Sequence, residues 1–270
     1  MTTSIHTNTS AMIALQNLNR TNDQLASTQS RVNTGLKVQG AKDNAAVWAV
    51  AQGQRADRGS LEAVTTSLNR ATSIADVSLA AGEQISDILV ELKQKATAAA
   101  DPSATAAMRT SYNDEFQSLL SSIQSFADNA VFDGSNILDG TATTALNFLA
   151  SADASETISL DRQNLTLAGL SLTGTSLTSE ANATAALTAV NAAIATSSSR
   201  LAELGAQAKQ IERHTTYVGK LSDALEAGIG NLVDADMAKE SARLTALQVQ
   251  QQLGVQALSI ANQSPQIILS

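Results

Sequence analysis

The chain has 270 residues, of which 43% are hydrophobic but only 3% aromatic, so its apolar content is mostly aliphatic. Small aliphatic side chains bury little area per residue, so we expect an elongated set of helices packed along narrow stripes. The net charge of −8 without any run of Lys or Arg argues against binding of nucleic acid, and the lack of cysteine excludes disulfides and thiolate ligands.

The first predicted element is a helix near the N-terminus. Its stripe follows the spacing of three and four residues that a helix requires, through Ala11, Leu15, Leu18, Asn22, Leu25, Gln29, Val32 and Leu36. Two of these positions are polar, which leaves too little apolar area to hold an isolated helix. The start carries no cleavable signal pattern and no segment reaches the roughly 18 apolar residues of a membrane span, which predicts a cytosolic chain unless a route other than a cleaved signal exports it.

A glycine-punctuated stretch, GLKVQGAKDNAA, separates this helix from a much longer one. The long pattern runs from Leu68 to Ala96 and meets Asp101-Pro102. Because proline suits the first turn of a helix and ends the one before it, we expect a helix-turn-helix junction here. The next helix, from Met108 to Phe126, carries the most aromatic stripe of the chain.

The middle of the chain lacks helical spacing and carries turn and strand signals instead. The stretch FDGSNILDG contains two Asp-Gly turn signals, and Asn164-Leu165-Thr166-Leu167 alternates polar and apolar residues as a short strand does. We therefore predict a small β-hairpin element around residues 131–180 that is not a separate domain.

Helical spacing returns from Leu187 to Val218, and a final stripe runs from Val233 to Leu258 after the sequence GIGN. Four glycines flank the terminal helices and are predicted hinges: Gly35, Gly40, Gly228 and Gly230. The predicted fold is mainly α, an elongated antiparallel helical bundle or coiled coil with a small β-hairpin and paired N- and C-terminal helices. Residues 1–40 plus 231–270 form one expected domain, and residues 41–230 form a rod-like bundle.

Few residues of the sequence are candidates for a catalytic or metal-binding site. In NLVDADMAKES, Asp234 and Asp236 open the last helix, where carboxylates cap free N–H groups, and Glu240 is expected to pair with Arg243 one turn on. A Mg²⁺ or Ca²⁺ site would need more oxygen ligands than these. The two histidines form no ligand pair and no nucleotide or hydrolase motif occurs, so we predict no catalytic, cofactor or metal site.

Two terminal blocks carry a family resemblance. TQSRVNTGLKVQGAKDNAAVWAVAQ and KLSDALEAGIGNLVDADMAKESARLTALQVQQQLGVQALSIANQSPQIILS resemble the ends of bacterial flagellin of the alphaproteobacterial type, and FDGSNILDG extends the likeness into the β region. The resemblance implies a secreted, extracellular subunit of the bacterial flagellar filament. Only the short stretch from about Thr141 to Glu180 separates the helical halves, so the outer domains of larger relatives are missing.

The same resemblance implies partners. These are further copies of the chain, hook-filament junction proteins, the filament cap, an export chaperone and the type III export apparatus. The residues expected to polymerise lie on the terminal helices: Leu15, Leu18, Leu25, Val32, Val233, Met237, Leu244, Leu247 and Leu258. Two alternatives stay open at this point, a hook-filament junction protein with related ends and a secreted coiled-coil needle or translocator protein.

Two further expectations concern sensing and folding. Ile88 and Val90 stand where flagellins detected by the mammalian flagellin receptor carry Arg-x-Arg before Glu-Leu, which predicts weak or no receptor activation. Both chain ends, Ile5 to Leu36 and Val233 to Ile260, are expected to be disordered in the monomer and to become helical on assembly. Trp48, the single tryptophan, is expected beside the N-terminal crossing.

Overall fold

The computed structural model describes residues 7–263, so His6, Ile5 and the closing SPQIILS lie outside the described residues. Five helices and four short strands follow one another along the chain: α1 Thr9–Thr34, α2 Ala45–Ala99, α3 Ala106–Asn129, β1 Val131–Phe132, β2 Ser135–Asn136, β3 Leu146–Leu149, β4 Thr157–Leu160, α4 Glu180–Val233 and α5 Met237–Gln263. The mainly α fold with a small β element is therefore confirmed. No helix between residues 7 and 263 has both the length and the apolar character of a membrane span.

The chain forms two compact units. The terminal unit comprises residues Met1–Ala56 and Ala224–Ser270, and the central unit comprises Asp57–Asp223. The predicted domains, with boundaries near residues 40 and 230, refer to layers of a filament, which a single chain does not test.

The core of the central unit follows coiled-coil spacing. On α2, twelve buried positions are separated by alternating steps of three and four residues, and Ala51 and Ile74 are buried in addition to this series: Leu61, Val64, Leu68, Ala71, Ala75, Ser78, Gly82, Ile85, Leu89, Leu92, Ala96 and Ala99. This a/d pattern keeps one seam of the helix turned inward from Leu61 to Ala99. A Cβ atom added at Gly82 would lie 2.3 Å from Leu201 Cδ2 on α4, so the two helices approach closely at that point.

The junction between α2 and α3 is held by Arg109. Its guanidinium donates to the carbonyl oxygens of Ala99 at 2.9 Å and Asp101 at 2.8 Å, which satisfies acceptors at the end of α2. The expected helix-turn-helix junction is present. Pro102, however, lies before α3 and not in its first turn, because Thr105 is the N-cap and accepts from the N–H of Met108.

The β element consists of two separate hairpins. β1 pairs with β2 around Asp133-Gly134, as the Asp-Gly signal predicted, and β3 pairs with β4 in antiparallel register from Leu146–Leu160 to Leu149–Thr157. The predicted strand at Asn164–Leu167 is wrong. The Asn164 side chain accepts from the backbone N–H of Thr166 at 3.1 Å and so stabilises a turn in place of a strand.

The tip of the β3–β4 hairpin is closed by Asp153. Its Oδ1 accepts from the hydroxyl of Ser151 at 2.6 Å and from the hydroxyl and N–H of Ser155 at 2.8 and 3.2 Å. These hydrogen bonds, that from Ser151 first, lower the pKa of the Asp153 carboxyl to about 2. The ionised carboxylate therefore favours the closed tip.

A pH dependence follows for this tip. Because the folded pKa lies below the ordinary value, the stabilisation is fully present above about pH 4 and is lost as pH falls through about 2. We expect the carboxyl carbon of Asp153 to titrate near pH 2 by NMR, and Ser151→Ala to move the midpoint up toward the ordinary value. A midpoint near 4 in the unsubstituted chain would contradict this account.

Candidate functional site

The terminal helices α1 and α5 form an antiparallel pair. Three polar links join them at successive levels: Asn8 Nδ2 to Ala261 O at 2.7 Å, Asn22 Oδ1 to Gln251 Nε2 at 2.8 Å, and Arg31 Nη1 to Glu240 Oε1 at 3.4 Å. The Arg31–Glu240 pair fixes the register most strongly, because Glu240 is buried and a shifted register would leave its carboxylate unpaired, whereas water can replace the exposed link between Asn22 and Gln251.

The seam between these polar links is narrow. The residues that are buried there are Leu25 and Thr28 on α1 and Glu240 and Leu247 on α5. Two of these four are polar or charged, so little apolar area leaves water when the two helices pair. The helix pair is well specified in register but poorly stabilised by its own core.

The two crossings between helices lie side by side, as the sequence predicted. The carbonyl oxygen of Val233 accepts from the N–H of Lys37 at 2.7 Å, and Gly35 O accepts from Ala235 N at 2.8 Å. A small apolar cluster covers this bridge and is formed by Val38, Ala51, Ile229 and Val233 with Leu36, Val47, Trp48 and Leu232 packed against it. Trp48 therefore lies beside the N-terminal crossing.

The predicted glycine hinges divide into two groups. Gly35 ends α1 with φ of 72°, a left-handed conformation that favours glycine, and Gly40 lies in the following connection. Gly228 and Gly230 instead lie inside α4, which continues to Val233, so their predicted place between two helices is wrong. Ile229 and Val233 pack in the apolar cluster at the crossing, and this packing outweighs the low helix propensity of the two glycines. The break between α4 and α5 therefore falls at residues 234–236.

The acidic residues before α5 cap that helix and join it to the end of α1. The Asp236 side chain accepts from the N–H groups of Ala238 at 3.1 Å and Lys239 at 3.2 Å, which confirms its role as a cap. Asp234 instead pairs through its backbone with Leu36. In residues 7–263 no group of three His, Cys, Asp or Glu side chains is placed to hold a metal ion.

Glu240 does not form the expected pair with Arg243. Its side chain turns toward α1, where Arg31 is its partner and where the carboxylate is largely buried. Its second oxygen, Oε2, is buried without a hydrogen-bond partner among the described residues. Burial of a charge is costly unless it is paired, so removing Arg31 would destabilise the helix pair more than removing a surface cation.

The predicted polymerisation residues do not share one environment. Leu25, Val233 and Leu247 are buried within the chain, Leu15 and Met237 are exposed, and Leu18, Val32, Leu244 and Leu258 are half-buried. The buried three hold the helix pair and the crossing together. Only the exposed and half-buried members have surface left to offer another molecule.

The structure also shows an exposed apolar surface, of which the sequence analysis predicted only Leu15. It comprises seven side chains of α1 and α5 that are 47–69% exposed, of which Val255 lies nearer the Leu247 side of α5 than the others do: Met12, Ile13, Leu15, Val249, Leu253, Val255 and Ile260. The link from Asn8 to Ala261 places Met12, Ile13 and Leu15 at the same end of the pair as Ile260, whereas Val249 lies near the level of the Asn22–Gln251 link. At about 100° per residue, Val249, Leu253 and Ile260 lie on one side of α5, roughly 140° from Leu247.

This exposed apolar surface was missed because α5 is apolar on two opposite sides. A single stripe through Leu244, Leu247 and Leu258 describes one side of α5, and the remaining apolar residues then show no obvious helical spacing. The signal that reveals the second side is the spacing of four and seven residues from Val249 to Leu253 and from Leu253 to Ile260.

The predicted receptor-motif residues lie in the central unit. Ile88 is half-buried and Val90 is 48% exposed on α2, whereas the neighbouring Leu89 and Leu92 point into the core. Val90 thus presents an apolar surface where an arginine would present a guanidinium.

Comparisons with known proteins agree with this architecture. Models of the bacterial flagellin N-terminal and C-terminal helical regions match residues 5–143 and 187–270. The flagellin FljM of Caulobacter vibrioides is 51% identical over 99% of this chain and 97% of its own length, and a flagellin of Brucella melitensis is 40% identical over 99% and 98%. The chain is thus similar to short flagellins of the alphaproteobacterial type over their whole length.

Solved structures show the same fold. The crystal structure of Bacillus cereus flagellin matches with a TM-score of 0.51 and 26% identity, over 56% of this chain and 86% of that one. A putative flagellar hook-associated protein from Vibrio parahaemolyticus matches with a TM-score of 0.58 at 13% identity, over 71% and 100%, which shows the fold alone. The chain therefore belongs to the bacterial flagellins, the extracellular structural subunits of the flagellar filament.

Proposed function

We propose that this chain polymerises through the exposed apolar surface on α1 and α5, which packs against neighbouring copies in the filament. The observation that carries this proposal is the exposure of seven large apolar side chains on the two helices of a poorly stabilised pair. Exposed apolar side chains grouped in this way mark an interaction site. The half-buried Leu18, Val32, Leu244 and Leu258 would complete the contact.

The helix pair is suited to the inner layer of a filament. Residues 1–40 and 231–270 would form the inner tube and residues 41–230 the layer around it. In this arrangement Gly35 and Gly40 act as the hinge on the N-terminal side. The connection at residues 234–236, together with Gly228 and Gly230 at the end of α4, takes that role on the C-terminal side.

The further partners follow from membership of the family. A subunit that assembles outside the cell would be carried by an export chaperone to the type III export apparatus, and would be added beneath a filament cap onto hook-filament junction proteins. The absence of cysteine is compatible with passage of an unfolded chain through such an apparatus.

Because a putative hook-associated protein has the same fold, a hook-filament junction protein is the alternative to a filament subunit. A junction protein would share the helices but would stop at a short closed assembly. The full-length identity to several flagellins favours the filament subunit over a junction protein or a needle or translocator protein.

Seeded assembly tests the proposed function. Purified chain added to short sheared filaments should extend them to many times their length, as seen by electron microscopy, without any cofactor. A chain that stays monomeric or stops at a closed ring, under salt conditions that favour association, would contradict polymerisation and favour a junction protein.

Weak signalling through the mammalian flagellin receptor is expected as well. Ile88 and Val90 lack the charge that a carboxylate on a receptor would bind. Monomeric protein should give little response in a reporter cell line, and the double variant Ile88→Arg and Val90→Arg should raise it. A strong response to the unsubstituted monomer would contradict this expectation.

A further inference from the structure

A groove on the helix pair is lined by three arginines. Its volume is about 280 Å³, and its lining residues are Arg20, Asp23, Gln24, Ser27, Thr28, Arg31 and Arg243. All of them belong to α1 or α5 in the terminal unit. We call this feature the arginine groove.

The charges in the arginine groove are incompletely balanced within the chain. Arg31 contacts Glu240, and Arg20 donates to the side chain of Asn17 at 3.1 Å. Arg243 has no hydrogen bond or ion pair among residues 7–263, and Asp23 is the single acidic side chain in the lining. Guanidinium groups bind carboxylates in a planar, bidentate geometry, so the arginine groove fits carboxylate ligands.

Charge is also distributed unevenly between the two units of the chain. Residues 1–56 and 224–270 contain seven Lys or Arg and six Asp or Glu, whereas residues 57–223 contain 10 Lys or Arg and 19 Asp or Glu. The whole negative charge of the chain therefore lies in the central unit. A second copy of the chain presents a strongly acidic surface that is complementary to the arginine groove.

We infer that the arginine groove receives carboxylates from the central unit, Asp57–Asp223, of a neighbouring copy in the filament. A contact between two different surfaces of the same protein generates an open helical polymer when its rotation does not close a ring, and this is the geometry that a filament needs. This electrostatic contact would act together with the apolar contact between copies, and it rests on the proposed function, since it requires that the chain polymerises. A nucleic acid is a poor occupant because a chain of net charge −8 repels a polyanion.

Crosslinking from inside the arginine groove identifies the occupant. Because the chain has no cysteine, Ser27→Cys introduces a single thiol that is close in size to the serine and carries no charge. Labelled with a photoreactive maleimide and assembled with isotope-labelled copies, it should give crosslinks between copies that map to acidic peptides of residues 57–223. Crosslinks confined to one copy, or to residues 1–56 and 224–270 of another, would overturn the assignment.

A charge-reversal pair measures the contribution of the contact. Arg243→Glu should raise the critical concentration for assembly at least tenfold, and Arg243→Gln should have a smaller effect in the same direction. Lys42→Glu makes the same charge change at an exposed residue of the same unit outside the arginine groove and is the control. Equal critical concentrations for Arg243→Glu and Lys42→Glu would overturn the contact.

The two proposals fail in different ways. If the unsubstituted chain forms no filaments, the proposed function and the contact both fail. If filaments form and serine substitutions on the exposed apolar surface weaken them, but neither crosslinks nor charge reversal behave as described, only the contact in the arginine groove fails. The helical content of each variant monomer, measured by circular dichroism, shows that folding is intact.

Discussion

Replacing Val249, Leu253 and Ile260 together with serine should raise the critical concentration for filament assembly about a hundredfold. Each side chain is more than half exposed in the chain, so each has about 1 kcal/mol of apolar burial left to gain in a contact. Three such losses amount to about 3 kcal/mol, and each 1.4 kcal/mol corresponds to a factor of ten. The measurement is the concentration of free subunit in equilibrium with filaments after sedimentation.

A matched control separates the apolar contact from helix propensity. Gln248, Gln250 and Gln252 are exposed on the same helix, and their replacement with serine changes the same number of residues without removing apolar surface. This control should assemble at nearly the original critical concentration. If both triple variants shift equally, loss of helix in α5 explains the effect and the exposed apolar surface has no special role.

The central unit is the part of the fold that the sequence predicted best. A series of buried positions on α2 repeats in alternating steps of three and four residues. This period can be recognised in the sequence because each of these positions holds an apolar or small residue. The Asp133-Gly134 hairpin was equally readable, since few residues other than glycine accept a positive φ.

Elsewhere, local signals were overruled by contacts distant in sequence. Asn164 lies in an alternating stretch, yet its side chain stabilises a turn through Thr166, and its carbonyl oxygen accepts from Arg200 on α4. Gly228 and Gly230 read as a helix end, yet the apolar cluster at the crossing holds them in α4. The Asn164–Thr166 hydrogen bond is local and competes with the strand pattern, whereas Arg200 and, for the two glycines, Val38 and Ala51 are distant in sequence, so a local pattern carries no record of them.

The polymerisation residues stay a prediction, and the structure divides them by burial. The terminal stripes pointed to α1 and α5, yet the buried third of the predicted set, such as Leu25 and Leu247, stabilises the helix pair and the crossing of this chain. Which side of a helix faces its partner in the same chain depends on register. That register is favoured by the link of the buried Glu240 with Arg31, where the sequence predicted a pair with Arg243 instead.

The terminal helices should be largely unprotected from hydrogen exchange in the monomer and strongly protected in the filament. Helices α1 and α5 comprise 26 and 27 residues, yet together they bury only four residues, among them Thr28 and Glu240. By contrast α3, with 24 residues, buries four apolar side chains including Phe116. Ordering a residue costs about 1–2 kcal/mol of backbone entropy, so contacts with neighbouring copies must supply the balance for α1 and α5.

The measurement compares exchange in the two states by mass spectrometry. Amides of residues 9–34 and 237–263 should exchange on the order of a thousandfold more slowly in filaments than in monomers, because assembly adds several kcal/mol to their opening free energy. Amides from Leu68 to Leu92 and from Leu187 to Val218 lie in the central unit and should be protected in both states. Trp48 fluorescence should change with the same assembly step, since this side chain packs on the crossing. Equal protection of α1 and α5 in monomer and filament would mean that the pair folds before it docks, and assembly would then be an association of preformed helices.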